Sequence, residues 1–326
     1  TGAPTGTLFG NACDVSCVKW HPDGKRVASG NVVGNLRMWS LDGKLLKRWK
    51  GHSSHSVSDI AWSPDGKTLA SAGTDGTIAL SNDHGERKSA IDTNKGAVAS
   101  VAWSPDGKLL LVASGGSREV CIWERDGTLG PVLAGHRDSP VSAAWSRDGR
   151  RVASVDRFGR SLVWEVDTGV KTEIDIDFQL RNRTGWMAWS PAGESVAFLS
   201  DDGFHVWNAS RDEVSHFSSC LHVRAARLSP DGQKLAVNIG YANWFYMLLC
   251  NSDGTEPQLL DQLHEFPLDF DWTPDSRSLL IGGNRFFTPA PILRFCGRDG
   301  SAGHELINSP YLGKEFCIHR LSVTPS

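Results

Sequence analysis

The sequence predicts an all-β fold built from seven repeated units, each made of four short antiparallel strands. One motif recurs along the chain: a residue that is usually tryptophan is followed, two positions later, by Pro-Asp-Gly or a close variant. The anchor residues of this motif are Trp20, Trp62, Trp103, Trp145, Trp189, Leu228 and Trp272. They lie 39 to 44 residues apart, and a period of about 40 to 45 residues is typical of repeats with four strands.

The second unit illustrates how the residues predict these strands. Residues 57–62 come close to alternating apolar and polar side chains, as a strand with one buried face does. The Pro-Asp-Gly turn then favours a reversal, because proline presets the backbone, aspartate bonds its own main chain and glycine tolerates positive φ. A second strand follows at residues 68–71, and a turn at 73–76 leads to the third and fourth strands. The third strand ends in tryptophan in four units, at Trp39, Trp123, Trp164 and Trp207.

Further short signatures accompany the turn motif. Gly-His pairs precede two first strands, at Gly51 and His52 and again at Gly135 and His136. Second strands end in Ala-Ser, and third strands end in Trp-Glu or Trp-Ser. With these features the chain resembles the WD40-repeat family of β-propellers, most strongly in repeats one to four. The resemblance implies a seven-bladed β-propeller. The later repeats lack the Gly-His pair and also resemble the looser propellers of the TolB or dipeptidyl-peptidase type.

Length and composition fit one propeller domain spanning residues 1–326, because seven stacked units bury one continuous core. Ten of the 13 tryptophans occupy the two repeat positions, which leaves Trp49, Trp186 and Trp244 to be explained. With 34 basic and 37 acidic residues the net charge is −3, which does not select nucleic acid or a membrane surface as partner. No apolar run approaches the ~20 residues needed to span a bilayer.

The seven cysteines are odd in number and follow neither a disulfide pattern nor a Cys-x-x-Cys spacing. This usage favours a reducing compartment, so we expect a cytoplasmic protein. Cys13 and Cys17 lie close together in sequence, but no second pair of suitable ligands accompanies them, and a zinc site needs four. We therefore predict no metal and no cofactor.

The two ends leave the closure of the ring open. Residues 7–10 read as an outer strand that would complete the last blade in this family. Residues 304–308 could already supply that strand, and residues 318–326 resemble the opening of another repeat. Either the tail adds a strand to a seven-bladed ring, or the chain is part of a longer protein.

One group of residues has the composition of a hydrolytic triad: His52, Ser71 and Asp75. The resemblance to the WD40 family implies that these positions form a buried hydrogen-bond network that stabilises the blade. In that family the third-strand tryptophan completes the network. Leu80 stands near that position in the second repeat, as Leu249 and Phe295 do later, so we expect an incomplete network there. No nucleophile elbow, phosphate-binding loop or zinc-protease motif is present. We predict no catalytic residues and no enzyme activity.

The loops that join second and third strands, together with the loops between blades, should open on one rim of the propeller. In blades four to seven these segments carry arginine and aromatic residues, a composition typical of an interface centre. The predicted partner-binding residues are Arg157, Phe158, Arg160, Arg181, Arg183, Tyr241, Trp244, Arg285, Phe286 and Phe287. Alternatively, Phe286, Phe287 and Trp244 plug the central channel or cap degenerate blades.

The favoured function is a non-catalytic scaffold or recognition module that binds a protein or peptide on this rim. Because arginine offers a planar donor fork for carboxylates and phosphates, an acidic or phosphorylated segment is the expected ligand. The main alternative is a regulatory or sensor propeller of a larger bacterial signalling or defence ATPase or kinase. A TolB-like or peptidase-like propeller enzyme is a remote alternative, and nucleic-acid binding by base stacking is disfavoured by the acidic net charge.

Overall fold

A computed structural model describes residues 15–40, 44–53, 55–174, 187–190, 193–200, 203–209, 211, 213–218, 222–229, 231–241, 244–252, 258–263, 265–272, 275–285 and 288–297. In these residues every regular element is a β-strand, and the 27 strands form seven antiparallel sheets. Six sheets have four described strands and the last has three, each paired in chain order. This confirms the predicted all-β fold, and the seven sheets agree with seven blades.

The strands are named here by sheet, and the sheets are called blades 1 to 7 in chain order. Blade 1 contains β1 Val15–Trp20, β2 Arg26–Asn31, β3 Asn35–Ser40 and β4 Leu45–Lys50. Blade 2 contains β5 Val57–Trp62, β6 Thr68–Gly73, β7 Thr77–Asn82 and β8 Arg87–Asp92. Blade 3 contains β9 Val98–Trp103, β10 Leu109–Ser114, β11 Glu119–Glu124 and β12 Leu129–Ala134. Blade 4 contains β13 Pro140–Trp145, β14 Arg151–Asp156, β15 Ser161–Glu165 and β16 Lys171–Ile174.

The remaining blades follow the same order. Blade 5 contains β17 Met187–Trp189, β18 Ser195–Ser200, β19 Gly203–Asn208 and β20 Glu213–Ser218. Blade 6 contains β21 His222–Leu228, β22 Lys234–Tyr241, β23 Trp244–Asn251 and β24 Gln258–Leu263. The described strands of blade 7 are β25 Glu265–Trp272, β26 Ser278–Arg285 and β27 Thr288–Gly297. Each first strand ends on one of the seven anchor residues.

The Pro-Asp-Gly turn is a closed hydrogen-bond unit. In blade 2 the Ser63 hydroxyl donates to Asp65 Oδ1 at 2.6 Å and accepts the backbone N–H of Thr68 at 3.0 Å. Gly66 has a φ of 70°, and its counterparts in the other turns have φ between 66° and 71°. L-residues seldom adopt this conformation, so the glycine at the end of the motif is required by the backbone. Blade 7 departs from the rule, since Ser276 takes this position with a φ of 57°.

The hydrophobic core lies between consecutive blades. In β10, Leu110 and Val112 join a buried cluster with blade 2, while Leu111 and Ala113 join a cluster with blade 4. Successive residues of a strand point to opposite faces, so β10 is buried on both faces. Similar clusters join blades 1 and 2, blades 4 and 5, and blades 6 and 7. The blades therefore stack face to face, as in a propeller.

Anchor tryptophans also connect blades through hydrogen bonds. Among the described residues, the indole N–H of an anchor tryptophan donates to a backbone oxygen of the preceding blade. The acceptor is the residue just before that blade's own anchor. The three such bonds are Trp103 Nε1 to Ala61 O at 3.2 Å, Trp189 Nε1 to Ala144 O at 3.1 Å and Trp272 Nε1 to Arg227 O at 2.9 Å. The buried indole nitrogens of Trp62 and Trp145 have no hydrogen-bond partner among the described residues.

Strand register corrects the position expected for the third-strand tryptophan in blade 2. In blade 1, Trp39 lies opposite Val27 of the second strand. The corresponding second-strand residue of blade 2 is Leu69, and its partner is Ser81, not Leu80. The expectation was wrong by one residue. The same correction applies in blades 6 and 7, where the register position belongs to Cys250 and Cys296.

Trp49 of β4 fills the space that the missing tryptophan leaves in blade 2. Its indole N–H donates to the Ser81 hydroxyl at 3.1 Å. Its ring lies over Gly85, where an added Cβ would come within 2.8 Å of the indole. The half-buried ring also packs against the cluster shared by blades 1 and 2. A tryptophan outside the repeat pattern thus stabilises the contact between these blades.

No helix in the described part of the chain is long and apolar enough to cross a membrane. The assignment of residues 1–326 to a single domain stays a prediction. The possible closing strands at residues 7–10, 304–308 and 318–326 lie outside the described residues.

Candidate functional site

Backbone contacts gather the predicted binding turns on one end of the blades. The turns between second and third strands contact the connections between blades, through Thr74 N to Ser56 O at 3.0 Å and Arg157 N to Ser139 O at 3.1 Å. We call this end the upper rim. The lower rim carries the Pro-Asp-Gly turns and the turns between third and fourth strands. Because each antiparallel strand reverses direction, the two sets of turns lie at opposite ends of a sheet.

In blade 2 the suspected triad forms a buried network just below the upper rim. His52 Nδ1 lies 3.0 Å from Asp75 Oδ1, and His52 Nε2 lies 2.9 Å from the Ser71 hydroxyl. The Thr77 hydroxyl donates to the same Asp75 oxygen at 2.8 Å. A Cβ on Gly73 would meet His52 Nδ1 at 2.2 Å, so the network needs glycine at this strand end. No indole completes it, because Ser81 takes the tryptophan position.

Burial and hydrogen bonds set the charge state of this network. Burial lowers the pKa of His52 and outweighs the opposing effect of Asp75. For Asp75, burial acts to raise the pKa, but hydrogen bonds from Thr77 and the nearby imidazole together lower it. At neutral pH the pair is therefore a neutral ring beside an ionised carboxylate, with the ring proton on Nδ1 and Nε2 accepting from Ser71.

This geometry has the donor order of a hydrolytic triad, yet its nucleophile is enclosed. The side chain of Ser71 is 0% exposed and His52 is 1% exposed. A hydroxyl without solvent access offers no path for a substrate, so chemistry at Ser71 would require the blade to open. The arrangement instead satisfies polar groups that the blade buries, which favours the structural interpretation.

Blade 4 contains a second network of the same kind. His136 Nε2 lies 2.5 Å from the Ser154 hydroxyl, and His136 Nδ1 lies 3.4 Å from Asp156 Oδ2. The imidazole also meets the Trp164 ring edge-on at 5.6 Å between centroids. Burial acts to raise the pKa of Asp156, but His136 and the backbone N–H groups of the following turn lower it. All four residue types of the WD40 network are thus present in this blade.

Asp156 also fixes the turn that displays the first three predicted binding residues. Its Oδ1 accepts the backbone N–H groups of Phe158 and Arg160, each at 3.0 Å. Gly159 completes the turn with a φ of 88°. Since Arg157 N donates to a neighbouring loop as well, the backbone of this turn is held from both sides.

The three side chains of this turn differ in availability. Phe158 is 65% exposed, the largest exposure among the large hydrophobic side chains that the structure describes. Arg157 is half-buried beside it. Arg160 donates through Nη2 to Glu173 Oε2 at 2.6 Å, which ties its guanidinium to the outer strand β16. Phe158 and Arg157 are therefore free to contact a partner, while Arg160 supports the turn.

The other predicted residues are placed only in part. Tyr241 and Trp244 pair with each other at the ends of β22 and β23. Arg285 ends β26 opposite Thr288. All three backbone positions lie on the upper rim. The remaining four residues lie outside the described residues: Arg181, Arg183, Phe286 and Phe287.

Two features of the site were missed from the sequence. The first is Asp156, whose role is shared by Asn31 in blade 1: the Asn31 side-chain oxygen accepts the backbone N–H of Asn35 at 2.8 Å. An Asp or Asn at the end of the second strand, followed three residues later by glycine, is the signal that could have found it. The second is a groove of about 260 Å³ between blades 4 and 5, lined in part by Val170 and Trp207.

No group of three or more potential metal ligands occurs in the described residues. Cys17, Cys121 and Cys250 are buried and form no disulfide among the described residues. Burial, with a smaller contribution from Asp59, raises the pKa of Cys17 to about 12. This thiol is therefore protonated at neutral pH and is a poor metal ligand.

Comparison with known proteins agrees with the repeat pattern. The family model "WD domain, G-beta repeat" matches residues 2–40, 43–80 and 85–124. The chain is 27% identical over 146 residues to a mouse protein named intraflagellar transport protein 122 homolog, covering 45% of this chain and 12% of that protein. It is 29% identical over 181 residues to the angio-associated migratory cell protein of Pongo abelii, covering 54% and 40%. The chain thus spans well under half the length of these curated relatives.

Solved structures support the fold independently. The chain superposes on a structure of U3-55K with a TM-score of 0.69 and 18% identity, covering 85% of this chain and 90% of that chain. The WD40 repeats of RRP9 give the same TM-score and identity, covering 86% and 91%. The likeness to these solved structures shows the β-propeller fold, and the family model identifies WD40 repeats within residues 2–124.

Proposed function

We propose that this protein is a non-catalytic interaction module that binds a protein or peptide on the upper rim of blades 4 to 7. The observation that carries the proposal is the blade 4 turn, where Phe158 is 65% exposed at the tip of a backbone that Asp156 holds in place. An exposed aromatic side chain on a rigid support binds a partner at a small cost in conformational entropy. Arginine and aromatic residues are also the types enriched in interface centres.

The chemistry of the rim favours an acidic or phosphorylated segment as the ligand. The half-buried Arg157 stands next to Phe158, and the predicted site continues with arginines at positions 181, 183 and 285. A guanidinium binds a carboxylate or phosphate through two parallel hydrogen bonds. An apolar residue of the ligand would contact Phe158 while its acidic groups pair with the arginines.

The WD40 relatives support the broader assignment to interaction modules, and the enclosed Ser71 supports a role without catalysis. We place the protein in the cytoplasm, in line with its free described cysteines. A regulatory propeller within a larger signalling protein stays the alternative, because it would use the same rim to contact its own chain or a partner.

Affinity capture from a lysate of the source cells tests the proposal. One bait carries alanine at four arginines of the predicted site: Arg157, Arg181, Arg183 and Arg285. The matched control carries alanine at four exposed lower-rim arginines: Arg147, Arg150, Arg211 and Arg277. Both baits lose the same charge, so a partner retained by wild type and control but lost by the first bait would place binding on the upper rim.

A third bait, Phe158→Ala, separates recognition from general electrostatics, because it changes no charge. We expect it to lose the same partner with an unchanged melting temperature, since the ring makes few contacts with its own blade. Equal capture by all baits would contradict the proposed site. A loss of folding in the four-arginine bait would show that these arginines stabilise the propeller.

A further inference from the structure

Blade 1 carries an excess of positive charge that the rest of the chain does not share. Residues 15–50 contain eight Lys and Arg but only two Asp, in a chain whose net charge is −3. Four of these cations follow one another on or beside the outer strand β4: Lys44, Lys47, Arg48 and Lys50. No acidic residue interrupts residues 44–50. This segment is called the basic edge below.

The cations of the basic edge are exposed and not neutralised within the described part of the chain. All four are exposed, and none forms a salt bridge with a described carboxylate. Lys50 donates to the backbone oxygen of Val33 at 2.7 Å, a bond that leaves its charge uncompensated. Leu45 and Leu46, at the start of the strand, are 38% and 44% exposed. The edge therefore combines a row of positive charge with two accessible apolar side chains.

The other outer strands that the structure describes lack this combination. In β8, Lys88 pairs with Glu86 at 2.8 Å. The strand β12 has no charged residue, and Pro131 interrupts its row of N–H donors. Lysine on an edge strand also discourages pairing with neutral or basic strands. An acidic strand is attracted by the same lysines, so the charge of β4 favours acidic partners over neutral or basic ones.

The backbone of β4 is suited to pairing. Among the described strands, β4 hydrogen-bonds only to β3, as the sheet order β1-β2-β3-β4 shows. Its register is regular over residues 47–50, after a shift between residues 45 and 47. An extended peptide can add to such an edge, with main-chain bonds giving affinity and alternate side chains giving specificity.

The position of Trp49 favours a peptide over a nucleic acid as the ligand of the basic edge. Binding of single-stranded nucleic acid relies on aromatic rings that are open to base stacking. The only aromatic residue of the basic edge is Trp49, whose ring is half-buried over Gly85 and whose N–H is donated to Ser81. The exposed apolar side chains of the basic edge are Leu45 and Leu46, which are suited to contact apolar side chains of a peptide.

We propose that β4 is a second docking site, on which an acidic segment of a partner protein that also carries apolar residues adds as an extended strand. Its carboxylates pair with Lys47, Arg48 and the flanking lysines, and its apolar residues cover Leu45 and Leu46. This site lies on a different blade from the upper-rim turn of Phe158 and does not depend on it.

Fluorescence anisotropy with a labelled dodecapeptide of Glu-Glu-Leu repeats tests this site on the full chain. Wild type should bind the peptide at low salt and release it as salt increases. The variant Lys47→Gln with Arg48→Gln should bind about tenfold more weakly, from about threefold for each exposed ion pair. The control Lys67→Gln with Arg150→Gln loses the same charge from exposed turns and should bind like wild type. Circular dichroism checks that both variants stay folded.

Four results would overturn the proposal. Absence of binding by wild type, or equal loss in the control variant, would reduce the basic edge to a solvated surface. A peptide that is N-methylated at every residue has no main-chain N–H to donate from either edge, so its binding with unchanged affinity would rule out strand addition. Tighter binding of an oligothymidylate at the same site would assign the edge to nucleic acid.

Discussion

Replacing Trp103 with phenylalanine tests whether indole hydrogen bonds between blades stabilise this propeller. Trp103 is buried, and its Nε1 donates to the Ala61 oxygen of blade 2 at 3.2 Å. Phenylalanine keeps an aromatic ring in the same cluster but cannot donate. The matched substitution is Trp62→Phe, because Trp62 is the corresponding residue of the preceding blade and its Nε1 has no described partner.

The expected difference follows from the hydrogen bond alone. Both substitutions remove the same ring atoms, so the loss of buried apolar area is similar. Trp103→Phe also leaves the buried oxygen of Ala61 without its donor, which costs about 1–3 kcal/mol. Trp62→Phe removes a donor that has no described partner, so it leaves no further polar group unpaired. We therefore expect Trp103→Phe to lower the free energy of unfolding by about 1–3 kcal/mol more than Trp62→Phe does.

Urea unfolding at 25 °C, followed by far-ultraviolet circular dichroism, measures this difference. In a thermal scan it corresponds to about 2 °C for each kcal/mol. Equal destabilisation by the two substitutions would refute the reasoning, because ring size and not hydrogen bonding would then determine the cost. Trp103→Ala sets the upper limit, since removal of a large buried aromatic costs about 3–5 kcal/mol.

Two further predictions concern the blade 2 network. Gly73→Ala should destabilise the protein by about 3 kcal/mol, because the new Cβ would lie 2.2 Å from His52 Nδ1 and break a buried pair. Gly24→Ala, with a φ of 66° and open space around it, should cost only about 1 kcal/mol, and equal costs in denaturant titrations would contradict the steric explanation. Because the pKa of His52 is lowered in the folded state, the unfolded chain binds its proton first, so stability should fall as pH drops below about 6.5. His52→Gln should flatten that decrease by up to about 1.4 kcal/mol per pH unit, and an unchanged slope would assign it to other groups.

The repeat period was sufficient to predict the fold because its residues act locally. The Pro-Asp-Gly turn favours glycine at positive φ, and glycine takes this position in six of the seven units, independently of the rest of the blade. The anchor at the end of the first strand then lies at a constant distance from the turn. Local chemistry of this kind leaves a trace in sequence spacing, which explains why seven units could be recognised.

Strand register was not predictable in the same way. The spacing from anchor to third-strand tryptophan varies from 18 to 20 residues in the other units, which allows residues 80 to 82 in blade 2. Pairing with β6 shows that Ser81 lies opposite Leu69. A shift of one residue moves a side chain to the other face of the sheet. The role of Trp49 follows from this choice and involves two blades, so no pattern within one repeat could have indicated it.

The composition of the loops predicted a binding rim, but it could not show which of the side chains are available to a partner. Arginine and aromatic residues suggested a binding rim, yet their sequence does not distinguish an available side chain from one that supports the turn. Arg160 and Arg157 look alike in the sequence, and the bond from Arg160 to Glu173 separates them. That bond joins two strands whose relative position depends on the whole blade.

The two buried networks show how a structural element can also prepare a binding surface. Register places Gly73 and Asp156 at the same strand end, opposite Val57 and Pro140 respectively. In blade 2 the carboxylate comes from Asp75, within the turn itself, so the turn residues are committed to the network. In blade 4 the carboxylate sits at the strand end. Its second oxygen is then available to hold the turn backbone, and the turn side chains are free to vary. The exposed Phe158 occurs in blade 4, where the turn side chains take no part in the network. For this reason we propose blade 4 as the centre of the binding rim.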